Sequence, residues 1–167
     1  MKNIKTALLL MIGIIIFSSC KKEGSELFEG NYTYNTSGEV TVTTDNSSYP
    51  VKLNNRTGQM QIIAMDDENR VMIIKTSLTG NVSKGYATIS GDEITFEPNT
   101  FSENITLNYL TGTATVTSNA TGKIYDDNTI VINEIYDGTF AGYENALSVT
   151  GTVNGNKILT IAKRNEE

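Results

Sequence analysis

The even spacing of turn signals constrains this chain more than any other feature. Asn31-Tyr32-Thr33-Tyr34 and Val40-Thr41-Val42-Thr43 alternate with period two. Gln59 to Met65 and Arg70 to Thr76 are apolar runs on either side of Asp66-Asp67-Glu68-Asn69. Ala87-Thr88-Ile89 and Ile94-Thr95-Phe96 flank Ser90-Gly91-Asp92. Successive side chains of a strand point to opposite faces, so such alternation buries one face and wets the other. Asn, Asp and Gly supply the backbone conformations that tight hairpins need.

The pattern continues to the end. Ile105, Leu107 and Tyr109 share one face of a strand, and Ala114 and Val116 one face of the next. Ile124-Tyr125 and Ile130-Val131-Ile132 flank Asp126-Asp127-Asn128. Leu147-Ser148-Val149 leads to Val153, and Asn154-Gly155 reads as a type I′ turn into Lys157 to Lys163. No window beyond residue 19 has a convincing helical period. About nine or ten strands joined by short turns predict an all-β fold. An antiparallel up-and-down β-barrel is favoured over a β-sandwich, because a meander of twisted strands removes its edges by closing.

The first residues carry a different signal. Lys2 and Lys5 precede a run without charge from Ala7 to Phe17, and Ser18-Ser19-Cys20 follows. A basic start, an apolar core and small residues before a cleavage point make a secretory signal. The run is shorter than the roughly 20 residues a spanning helix requires. Phe17-Ser18-Ser19-Cys20 resembles the lipobox of bacterial lipoproteins, in which the cysteine is acylated and becomes the first mature residue. Phe17 stands where Leu is usual. Cys20 is the single cysteine of the chain, and acylation accounts for an unpaired thiol in an exported protein. The expected organisation is signal 1–19, lipidated tether 20–26 and one barrel domain 27–167.

Composition narrows the function. Removing the two lysines of the signal, which contains no acid, takes the net charge from −6 to −8. An acidic surface argues against nucleic-acid partners. The chain has no histidine, which excludes Ser-His-Asp and Cys-His machinery and the usual zinc sites. Glu93, Glu97, Glu103, Glu134 and Asp137 remain for carboxylate chemistry, but their spacing selects no pair. The turns at 66–69 and 126–128 do not match a calcium loop. No enzyme, cofactor or metal is expected.

Leu27-Phe28-Glu29-Gly30-Asn31-Tyr32 resembles the lead-in to the first strand of lipocalin-like (calycin) barrels. That family has Gly-x-Trp there, with a basic residue of the last strand over the ring. This chain has no Trp; Tyr32 supplies the ring, and Lys163 or Arg164 the cation. Gly85 to Phe96 is similar to a hairpin of small lipocalin-like lipoproteins of the Bacteroidetes type. The resemblance implies a barrel with an internal cavity, carried by an outer-membrane lipoprotein of the cell envelope, periplasmic or surface-facing. Tyr32, Tyr34, Phe96 and Tyr109 are expected to fill the interior. Phe140 and Tyr143, in the glycine-rich stretch 137–145, are expected at the barrel mouth as a plug or as ligand contacts. The expected partners are the membrane, through acylated Cys20, and a small apolar ligand or a glycan. The other reading is a cell-surface protein- or glycan-interaction module with a filled barrel.

Acylation carries a direct test. Replacing Cys20 by Ser should move the protein from the membrane to the soluble fraction and abolish fatty-acid labelling, because stable anchoring takes two or more buried chains. Unchanged membrane partition would refute the lipobox.

Overall fold

An alternating strand cannot satisfy its own backbone, so each N–H and C=O must find a neighbouring strand. The computed structural model describes residues 24–53, 56–67, 69–126 and 128–165; the signal segment and Cys20 lie outside the described residues. A short helix, α1 (Ser25–Phe28), leads into β1 (Gly30–Ser37), β2 (Glu39–Thr44), β3 (Ser48–Lys52) and β4 (Arg56–Ala64). There follow β5 (Arg70–Ser77), β6 (Val82–Ser90), β7 (Glu93–Phe96) and β8 (Asn99–Leu107). The last three strands are long: β9 (Leu110–Ile124), β10 (Thr129–Glu144) and β11 (Leu147–Arg164).

Neighbouring strands are antiparallel, in the order β1-β4-β5-β6-β7-β9-β10-β11, and β11 returns to β1 to close an eight-stranded barrel. β2 extends the wall begun by β1, pairing Thr41–Thr44 with Asn154–Gly151 of β11 beyond the β1 register. β3 extends β4 alongside β2, and β8 extends β7 alongside β9. Each wall therefore follows its predecessor in sequence, so the ring is an up-and-down meander. The lower end holds α1 and the turns after β4, β6 and β9; the upper end holds the turns after β2, β8 and β10.

Two apolar cores are stacked along the axis. The lower one contains Phe28, Tyr32, Ile62, Val71, Ile94 and Ile132. The upper one contains Val42, Leu110, Val116, Phe140, Val153 and Ile158. One face of β10 serves both, since Ile130, Ile132, Glu134, Phe140 and Glu144 are all buried at even positions.

One basic residue clasps the closing ladder. Arg164 sits opposite Tyr32 in the β1–β11 ladder. Its Nε and Nη2 donate to the Tyr32 hydroxyl at 3.1 and 2.7 Å, and Nη2 also donates to the Leu27 carbonyl at 2.5 Å. Nη1 donates to Asn128 Oδ1 at 3.2 Å, and the guanidinium carbon lies 5.3 Å from the Tyr32 ring centre. Tyr32 in turn donates to the Phe28 carbonyl at 2.7 Å. Burial pushes the Tyr32 phenol up, and Arg164 pulls against that shift. Lys163 pairs with Thr33 and is exposed, so Arg164 alone makes the contact.

Three local expectations are corrected. Asn154-Gly155 is no turn: both lie inside β11, where the β10–β11 register shifts between Glu134 and Tyr136. A Cβ on Gly155 would stand 2.9 Å from Ile158 Cδ1 and 3.2 Å from Val40 Cγ2, so glycine serves close packing there. The hairpin turn is Asn145-Ala146, with φ of 49° and 67°. The stretch 137–144 belongs to β10 and is no irregular loop. Gly112 and Gly142 face each other across β9 and β10, and a Cβ on either would meet the Phe140 ring within 2.8 Å. The glycines make room for that ring. Tyr109 occupies a turn and is 65% exposed, so it does not fill the interior.

The Arg164 clasp predicts a stability effect. Arg164→Met should destabilise the fold by about 2 kcal/mol, since hydrogen bonds with a charged partner contribute about 1.5–3 kcal/mol. Arg164→Lys should recover only part, because an ammonium lacks the forked donors. Denaturant melts measure both; a loss under about 0.5 kcal/mol, the size of an ordinary surface substitution, would show that closure does not depend on the clasp.

Candidate functional site

The wall opposite the long strands is cut short. The β5–β6 hairpin ends where Ser77 pairs with Gly58, halfway up β4 and β3. Above that level β3 pairs only with β2, and β8 only with β9, so their outer edges flank a side window. A salt bridge spans the window: Arg56 Nη2 of β4 meets Glu103 Oε1 of β8 at 2.5 Å.

Two cavities open behind it. The upper cleft encloses about 190 Å³ between Val51 and Leu53 on one side and Phe101, Ile105 and Leu107 on the other, over a floor containing Val116 and Val153. The lower chamber, about 150 Å³, opens between β6 and the β7–β8 wall. Phe101 and Tyr136 line both spaces and meet edge to face, with ring centres 5.5 Å apart.

The back of the lower chamber is charged. Glu134, just before the register shift in β10, is only 6% exposed. Its carboxylate accepts from Ser118 Oγ at 3.2 Å and from Thr160 Oγ1 at 3.0 Å; Thr160 also shares a 2.6 Å hydrogen bond with Thr36. Lys75 Nζ, from β5 across the barrel, stands 3.8 Å from the same carboxylate. Its ammonium also lies 5.9 and 5.6 Å from the ring centres of Tyr34 and Phe96. Burial pushes the Tyr136 phenol well above its ordinary range, and the charge of Glu134 adds to the shift. Among the described residues no buried side-chain nitrogen or oxygen lacks a partner. At the upper end Tyr49 donates to Glu144, which also accepts from Thr44 at 3.1 Å; the Tyr49 hydrogen bond holds the Glu144 carboxyl below its usual range.

The residues expected at the mouth are elsewhere. Phe140 is buried in the upper core, and Tyr143, on the outer face of β10, is 59% exposed. Neither lines the cavities described above. The site instead gathers Lys75, Phe101, Ser118, Glu134 and Tyr136. Period two held the signal: Glu134 continues the inward face of Ile130 and Ile132, and Lys75 that of Val71 and Ile73. Of the carboxylates in the sequence, Glu93 is exposed, Glu97 pairs with Arg70 at 2.7 Å, and Glu103 with Arg56. No family model matches this chain, and no curated protein matches it either.

The buried carboxylate and the half-buried ammonium depend on each other. Lys75→Met should cost about 1–3 kcal/mol, less than the 3–5 for a fully buried pair because Lys75 retains some exposure. Adding Glu134→Gln to Lys75→Met should restore part of that stability, because the uncompensated charge is then gone. Additive losses in a double-mutant cycle would show that the two groups do not interact.

Proposed function

We propose that this chain is a non-enzymatic lipoprotein of the bacterial envelope, anchored through Cys20, whose lipocalin-like barrel binds a small apolar molecule. The upper cleft carries the reading. Its walls are mostly Val, Leu, Ile and Phe side chains, with the Arg56–Glu103 pair, Asn104 and Thr106 also in the lining, and it opens between unpaired strand edges. An apolar cavity of about 150 Å³ takes up benzene, so a space near 190 Å³ suits one substituted ring or a short alkyl chain. The lipobox residues Phe17-Ser18-Ser19-Cys20 support the anchor. The interaction-module reading is favoured by exposed Tyr109, Tyr143 and Leu147 near the upper turns, but a filled barrel does not suit the open cleft.

Titration with benzene and short alkylbenzenes tests the proposal. The melting temperature should rise saturably, as expected for a ligand that binds only the native state. Val51→Phe, which fills the cleft from its edge strand, should weaken that response about tenfold, or about 1.4 kcal/mol. A folded protein that answers none of these compounds would refute the apolar ligand.

A further inference from the structure

The lower chamber contains chemistry unsuited to an apolar ligand. Glu134 accepts the hydroxyls of Ser118 and Thr160, one on each carboxylate oxygen, and the Tyr136 phenol donates to it as well. A carboxylate offers about four lone-pair directions, so room for one further donor remains. Lys75 has three N–H donors. The Glu134 oxygen lies 3.8 Å away, outside hydrogen-bond range, and among the described residues the ammonium makes no hydrogen bond. The chamber thus presents an acceptor and a donor side by side, both with capacity to spare.

Their charges select the ligand. An anion attracted by Lys75 is repelled by Glu134, and a cation meets the reverse. A neutral molecule with neighbouring hydroxyls suits both, giving O–H to the carboxylate and accepting N–H from the ammonium on adjacent oxygens. Hydrogen bonds to charged groups are the stronger kind in a buried setting. Aromatic side chains of Tyr86, Phe96, Phe101 and Tyr136 supply apolar walls for the C–H face of a ring. We propose that the lower chamber binds a neutral polyhydroxylated ring, the size of one sugar residue, held between Glu134 and Lys75. This site is separate from the apolar cleft, and the two share only the Phe101–Tyr136 wall and the space beside it.

The test uses the full chain and methyl glucoside, methyl galactoside and methyl mannoside, followed by amide chemical shifts. At least one should bind saturably in the millimolar range, shifting Gly85 and Ala120 at the chamber. Lys75→Met and Glu134→Gln should each weaken binding about tenfold or more, the equivalent of about 1.4 kcal/mol. Val51→Phe should leave it unchanged, which separates this site from the cleft. Glucosamine and glucuronate, each charged, should bind more weakly than the neutral sugars. If both chamber variants fail to fold, the shift map and the neutral-to-charged ranking on the unaltered protein still decide. The proposal is overturned if no neutral sugar binds, if the shifts map away from Gly85 and Ala120, or if a charged sugar binds as tightly.

Discussion

A closed sheet has an inside only as long as every wall is present, and here one wall stops early. β9, β10 and β11 run the full height of the barrel, while the β5–β6 hairpin opposite them reaches only halfway. The lower half is therefore hydrogen-bonded all round, and the lower core fills it beneath the chamber. In the upper half the same long strands continue with nothing hydrogen-bonded across from them, so β3 and β8 are left as edges. Exposed edges invite pairing with other chains. Pro50 in β3 removes one donor, and Glu103 of β8 carries a charge that Arg56 holds across the gap. The cavities follow from this missing half-wall.

The Glu134–Lys75 pair lies where the closed and open halves meet. Burying such ions carries a desolvation penalty that their attraction offsets only when hydrogen bonds complete the shell. Ser118 and Thr160 supply hydrogen bonds on the Glu134 side, and two aromatic faces flank Lys75. The pair joins β5 to β10, which are diametrically opposite in the ring order. It divides the interior into two apolar cores, each sized for its own half.

Local chemistry made most of the fold legible and little of the site. The turns between β4 and β5, β6 and β7, and β9 and β10 follow from Asp, Asn and Gly acting on their own backbone, and strand alternation between them needs no tertiary information. Asn154-Gly155 misled because glycine there answers to the packing of Ile158 with Val40 of β2, an approach that no local window contains. The same is true of the glycines around Phe140, which suggested a loop and instead seat a ring. Sequence leaves Lys163 and Arg164 equally eligible for the cation; the strand's buried positions are Ile158, Thr160 and Ala162, and Arg164 is the next on that face. The Glu134–Lys75 pair depends on β5 facing β10, and ring order is not written in either strand. Signal and tether rest on sequence alone.

Closing the ring between β1 and β11 has a kinetic consequence. Tyr32 and Arg164 are 132 positions apart, so nearly the whole chain must exist before the clasp forms. Hairpins such as β4–β5 and β6–β7 assemble from near neighbours, whereas the first strand waits for the last. Non-local pairing of this kind slows folding, because loop closure must precede the contacts that reward it. A chain delivered from its N-terminus emerges with β1 paired to β4 on one side and bare on the other until β11 follows. The interval between those events is when this protein is most open to aggregation or to a chaperone.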